Sequence, residues 1–119
     1  MPMEVRTTSL GDVPLLEARG DIDHSTCASL QAALDEVFDN GHGVVFLDLQ
    51  KVTYIDSGGL SVLLAGVRTV RERGWLGVIG PNANVRRLLE IVGLLVDPCF
   101  RVFDSKDAAE AAVVEWTMT

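Results

Sequence analysis

The stretch GVVFLDL, residues 43–49, constrains the fold of this chain more than any other. A strand with one wet face alternates apolar and polar side chains, whereas a strand buried on both faces reads as a nearly continuous apolar run. The segment is therefore expected to run through the interior of a sheet. The elements around it must supply the cover.

Upstream, MEVRTT and VPLLEARG read as two short strands around the turn SLGD. Between this hairpin and the central strand, STCASLQAALDEVFDN places Leu30, Ala33, Leu34, Val37 and Phe38 at helical spacing and ends on the stop signal Asn40-Gly41. Ser25 or Asp23 is expected to cap its start. Downstream, residues 57–73 predict a helix closed by Gly74 in the left-handed conformation. WLGVIG predicts a strand, and NANVRRLLEIVGL a helix with Asn82 near its cap and Gly93 at its end. FRVF and DSKDAAEAAVVEW add a last strand and a helix capped by Asp104 or Ser105. Strands alternating with helices after a hairpin imply an α/β fold with a mixed sheet and right-handed parallel crossovers. Functional groups in such sheets gather beyond the carboxyl ends of the strands. GDIDHS and YIDSGG each follow a strand there and precede a helix, so they are expected to meet at one edge.

The 119 residues are about the size of one domain, and no repeat or long linker divides them, so residues 1–119 are read as a single unit. The formal charge is −7, from 17 acids against 10 basic residues. Polyanion binding relies on cations displacing condensed counterions, which argues against direct contact with nucleic acid or anionic membranes. The N-terminal segment lacks a signal-peptide pattern, and no apolar run approaches a membrane span of about 20 residues, so a cytoplasmic location is expected. Cys27 and Cys99 form no C-x-x-C pair, and His24 with Cys27 supplies only two ligands. No metal or cofactor is expected.

The most informative position is Ser57. It follows Asp56, precedes Gly58 and Gly59, and stands where a helix N-cap belongs. On the helix that follows, Leu60, Leu63, Leu64, Val67 and Val70 share the arc expected to pack on the sheet. The opposite arc carries Gly58, Ser61, Val62, Ala65, Gly66 and Thr69, with no charge until Arg68 and Glu72. Small uncharged residues permit close approach, and charge depletion marks an interface core, so a protein-binding face is expected beside Ser57. The competing reading is that another element of the same chain covers it.

A nucleophilic role for Ser57 has weak support. A hydrolase elbow needs glycine at position 55, which is isoleucine, and only His24 and His42 could serve as bases. Nor does DSGGLS match a P-loop or a G-x-G-x-x-G site. The remaining chemistry for an exposed serine is modification from outside. Phosphorylation would add about −1.5 to −2 charges next to Asp56 and near Asp21 and Asp23. The helix dipole would tolerate that charge, whereas an interface would not.

Three segments now carry a family resemblance: ARGDIDHSTCASL, VVFLDLQKVTYIDSGGLSVLLAGVRTVRERG and VIGPNANVRRLLEIVGL. In order and spacing they resemble the STAS domain, in its bacterial anti-sigma-factor antagonist branch. DLxxVxxIDSxGL is the specific part. The resemblance implies a STAS fold, a mixed sheet of four to five strands with about four helices mainly on one face. It also implies a protein without catalysis of its own that binds an ATP-dependent anti-sigma-factor serine/threonine kinase and releases its sigma factor. The kinase would switch it off by phosphorylating Ser57, and a PP2C-type phosphatase would restore it. Asp23 matches a loop acid that engages the kinase, and Asp56 the motif aspartate that shapes the loop. Many members have a second hydroxyl where this chain has Gly58, so Ser57 is the motif's sole acceptor. The partner-binding set expected from these readings is Asp21, Asp23, His24, Ser25, Asp56, Ser57, Gly58, Gly59, Ser61, Val62 and Ala65. The alternative is a STAS nucleotide-sensing or scaffold module with no kinase switch.

Overall fold

A computed structural model describes residues 3–118; Met1, Pro2 and Thr119 of the expected 1–119 unit lie outside the described residues. Strand β1 (Glu4–Leu10) turns at Gly11 into β2 (Val13–Ile22), and the two pair antiparallel. There follow α1 (Cys27–Asp39), β3 (Val44–Ile55), α2 (Ser57–Val70), β4 (Trp75–Ile79) and α3 (Ala83–Ile91). A single 3-10 turn (Leu94–Val96), β5 (Phe100–Phe103) and α4 (Lys106–Met118) complete the described chain. The strands lie side by side in sequence order, and every pair after β1–β2 is parallel. Among the described residues this gives the expected α/β architecture, with five strands and four α-helices.

The alternation within β3 decides how the helices are shared between the two faces. Val45, Leu47 and Leu49 point into the larger core, with Leu30 and Leu34 of α1, Leu63 and Val67 of α2, and Val85 and Leu89 of α3. Val44 and Phe46 point the other way, onto Trp75, Phe103 and the α4 residues Ala109 and Val113. Three helices therefore cover one face and α4 part of the other. The polar exception in GVVFLDL, Asp48, is buried. Its Oδ1 accepts the Gln50 amide at 2.9 Å, and Lys106 Nζ stands 3.6 Å from Oδ2, which answers the cost of burying a carboxylate.

Several element ends differ from expectation. β3 continues through QKVTYI to Ile55 and outruns β4, whose pairing with it stops at Asp48. Helix α2 stops at Val70 rather than at residue 73. Gly74 is not left-handed, unlike Gly41 and Gly93. A glycine is needed there because a Cβ would lie 2.5 Å from the Gly43 carbonyl oxygen, which itself accepts the Trp75 amide. Thr26, rather than Ser25 or Asp23, stands at the N-cap position of α1, and its side chain makes no capping hydrogen bond there. Asn82 caps α3, its Oδ1 accepting the Val85 amide, and Ser105 Oγ accepts the Ala108 amide at the start of α4.

Candidate functional site

The parallel register of β2 and β3 ends with Asp21 beside Tyr54 and Ile22 beside Ile55, so the loops that follow leave the sheet together. The expected meeting of GDIDHS and YIDSGG takes place through backbone and side chain. The Asp56 amide donates to the Ile22 carbonyl at 3.1 Å. The Asp56 carboxylate is then shared between two elements. Its Oδ1 accepts the Gly58 and Gly59 amides at 2.7 and 3.2 Å, capping α2. Its Oδ2 accepts the His24 amide at 3.2 Å and faces His24 Nδ1 at 2.8 Å. Partial desolvation raises the Asp56 pKa, but the bonds from the His24 imidazole and from the Gly59, Gly58 and His24 amides outweigh it and hold the carboxyl below its ordinary value.

Asp56, not Ser57, is thus the cap. The expectation for Ser57 is corrected by one residue, because a carboxylate aimed back along the first turn reaches two amides. Ser57 occupies the first helical position, is exposed, and its hydroxyl makes no hydrogen bond among the described residues. Its carbonyl accepts the Ser61 hydroxyl at 2.8 Å.

The β2–α1 loop is built around Asp23. Its Oδ1 accepts the Ser25 hydroxyl at 2.7 Å and the Ser25 and Thr26 amides at 2.9 and 3.1 Å. The Ser25 hydroxyl bond leads the causes that hold this carboxyl below its ordinary value. Thr26 Oγ1 donates to the Asp21 carbonyl at 2.7 Å and so is drawn away from the helix amides. Thr53 Oγ1 donates to Asp21 Oδ1 at 2.6 Å, fixing the loop to β3. Thr26 and Thr53 are structural members of the site that the sequence reading missed; each belongs to a quoted motif, but neither has a spacing that singles it out.

Asp21, Asp23, His24, Ser25, Asp56, Ser57 and Gly58 are brought together at this edge. The face of α2 is arranged differently from expectation. Val62 is 5% exposed and sits in the core, and Gly59 and Gly66 are also buried. Leu60 and Leu64, expected against the sheet, are only half-buried at its rim. At 100° per residue the buried arc is turned by roughly 70° from the expected one. The cause is close packing by the small residues themselves. A Cβ on Gly59 would stand 2.7 Å from the Ile22 carbonyl oxygen, and one on Gly66 would meet Leu76 and Leu34. The small stripe does mark close approach, but by the sheet and α1. Val62 and Gly59 therefore leave the partner-binding set. What α2 shows to solvent is Ser57, Ser61, Arg68 and Thr69, flanked by half-buried Leu60, Leu64 and Ala65.

The imidazole of His24 is bonded to Asp56 and not to Ser57, so no serine–histidine pair is assembled; His42 is exposed beyond the opposite end of β3. Among the described residues no cluster of three or more metal-ligating side chains occurs, and no helix is long and apolar enough to cross a membrane. A second unforeseen feature is an apolar groove of about 320 Å3 between Tyr54 and Ile55 at the end of β3 and Val85, Leu88 and Ile91 of α3. Its signal in the sequence is faint, a tyrosine at an outward position of the strand.

With this geometry in place, comparison with known families is decisive. The family described as "Mlab, STAS domain" matches residues 5–96. The chain belongs to the STAS domain family. Its similarity extends to the anti-sigma-F factor antagonist RsfB of Mycobacterium tuberculosis, 31% identical over 93 residues that span 78% of this chain and 75% of that protein. An anti-sigma factor antagonist from Mycobacterium paratuberculosis superposes with a TM-score of 0.83 at 24% identity, covering 94% of each chain. The Bacillus cell fate determinant SpoIIAA in its phosphorylated form shares the fold with a TM-score of 0.69 at 15% identity, over 92% of this STAS chain and 98% of that one.

Proposed function

We propose that this STAS protein is an anti-sigma-factor antagonist governed by phosphorylation at Ser57. Its unphosphorylated form binds an anti-sigma-factor serine/threonine kinase in the cytoplasm and frees the sigma factor. Transfer of phosphate from ATP to Ser57 ends the binding, and a PP2C-type phosphatase reverses it. The protein performs no catalysis of its own, and the whole chain acts as a single STAS domain.

The observation that carries this reading is the division of labour between Asp56 and Ser57. The carboxylate does the capping, so the neighbouring hydroxyl is exposed, unbonded and free to react without cost to the helix. The similarity to RsfB supports the class of partner. The contact surface is the loop carrying Asp21, Asp23, His24 and Ser25, together with Asp56, Ser57, Gly58, Ser61 and Ala65. A dianion placed there would be desolvated in any complex, at a cost of several kcal/mol, and each 1.4 kcal/mol weakens binding tenfold.

The test is to isolate the kinase that the unmodified protein captures, incubate the two with ATP, and locate the phosphate by mass spectrometry. One phosphate on Ser57, with loss of the complex, is expected. A Ser57→Ala protein that still acquires the phosphate refutes the assignment.

A further inference from the structure

The clasp between His24 and Asp56 has a property that capping does not require. The bonds that hold Asp56 ionised make it an acceptor, so His24 Nδ1 is the donor in their 2.8 Å contact. That fixes the neutral imidazole in the Nδ1–H tautomer and leaves Nε2 as the nitrogen that gains or loses a proton. The side chain is 74% exposed, so water can deliver that proton. Protonation at Nε2 leaves the Nδ1 bond intact, and the ring can therefore change charge without leaving its place.

That place is beside Ser57. A Cβ added to Gly58 would come within 2.9 Å of His24 Nδ1, so the ring occupies the volume that a side chain at position 58 would fill. One chain step of 3.8 Å then puts the Ser57 Cα within roughly 8 Å of that nitrogen, inside the Debye length of about 10 Å at 0.1 M salt. The ionisable groups at this edge are Asp56 from the start of α2, Asp21 from the end of β2, Asp23 from the loop after it, Cys27 from the first turn of α1, and Tyr54 of β3 beside Asp21; the strand cations Arg19 and Lys51 are register partners further back along β2 and β3. None of the groups at the edge itself is a cation. A phosphate on Ser57 would have His24 as its one titratable counter-charge among these groups.

We propose that His24 is the residue that answers phosphorylation of Ser57: held by Asp56, its imidazole takes a proton from solvent at Nε2 and supplies the positive charge that balances the phosphate. Phosphorylation and protonation are then linked, each favouring the other by the same factor. The phosphorylated state is favoured at mildly acidic pH and weakened as His24 loses its proton. The ring also accounts for the glycine at position 58, since a second acceptor residue there would displace it.

This inference rests on Ser57 as the phosphorylated residue, but its test needs no kinase. Phosphoserine is incorporated at position 57 during translation, and the His24 ring resonances are followed by NMR against pH in the modified and unmodified proteins. The His24 midpoint is expected to rise by about half a pH unit or more on phosphorylation, from two charges at this range in a largely aqueous setting. Phosphorus NMR reads the reciprocal effect: His24→Gln should raise the second phosphate midpoint by a comparable amount. Midpoints unchanged within 0.1 unit in either experiment overturn the proposal, whatever the kinase does. Failure of the kinase assay with these shifts present would instead refute the proposed function alone.

Discussion

Two glycines in α2 should respond to the same substitution with opposite signs. Gly59 and Gly66 are both buried. In Gly59→Ala the new Cβ would lie 2.7 Å from the Ile22 carbonyl oxygen, 2.8 Å from Ile22 Cγ2 and 3.0 Å from Ile55 Cγ2. These atoms belong to the paired ends of β2 and β3, and the nearest is backbone, so relief requires the helix start to move off the sheet. Overpacking of this kind costs about 1–3 kcal/mol, against which alanine regains at most about 1 kcal/mol of helix propensity. A net loss of about 1–2 kcal/mol is expected, or roughly 4–10 °C in Tm for a chain of this size. In Gly66→Ala the Cβ meets Leu76 Cδ2 at 3.4 Å and Leu34 Cδ1 at 3.9 Å, ordinary contacts with flexible side-chain ends. Propensity then prevails, and stability should rise by about 0.5–1 kcal/mol. Urea titrations of the three proteins separate the two effects, since neither variant should alter the slope m. If Gly59→Ala were as stable as the parent, the close approach of α2 to the strand ends would be wrong, and with it the position given to Ser57.

Two further outcomes test the face of α2 and the loop electrostatics. Val62→Glu buries an unpaired carboxylate in the core and should cost about 3 kcal/mol or more, whereas Ser61→Glu on the exposed arc should leave Tm within a degree or two and weaken capture of the kinase at least tenfold. A Val62→Glu protein that melts like the parent would contradict the orientation of the helix. The carboxyls of Asp23, Asp56 and Asp97 are all held below the ordinary carboxylate value, Asp97 chiefly through Arg71 at 2.8 Å. Groups depressed in the folded state contribute stability above their unfolded pKa and lose it as pH falls through the lower, folded value. The urea midpoint should therefore hold between pH 7 and 5 and fall below about pH 4; a midpoint constant down to pH 2.5 would show that these bonds do not contribute.

The parts of this molecule that were legible in its sequence are those decided by large or conformationally special residues. The continuous apolar run of residues 43–49 announced a strand covered on both faces, and Asn40-Gly41, Asn82 and Gly93 marked helix ends where the structure has them. The orientation of α2 was not legible, for a physical reason. Glycine, alanine and serine present close approach without saying from which side, and only the positions of Ile22, Ile55, Leu76 and Leu34 decide it. The half-polar QKVTYI failed to read as strand because it extends past the end of β4 and lies partly in water. At the start of α1 the sequence suggests Ser25 or Asp23 as the cap, whereas the N-cap position falls on Thr26, whose hydroxyl is taken by the Asp21 carbonyl.

The one-residue displacement between expected and observed cap changes how the proposed switch would work. Had the Ser57 hydroxyl been the cap, phosphorylation would have replaced a group bonded to the first-turn amides, and loss of binding could not be separated from loss of helix. With Asp56 holding those amides through Oδ1 and His24 through Oδ2, a modified Ser57 changes the charge at the surface while the bonds beneath it stay in place. The two loops would keep their geometry in both states, and discrimination would rest with the partner, which meets the same shape with a different charge. A backbone difference at residues 21–26 between phosphorylated and unphosphorylated protein, measured by amide chemical shifts beyond those of His24 and its neighbours, would contradict this and indicate a conformational switch instead.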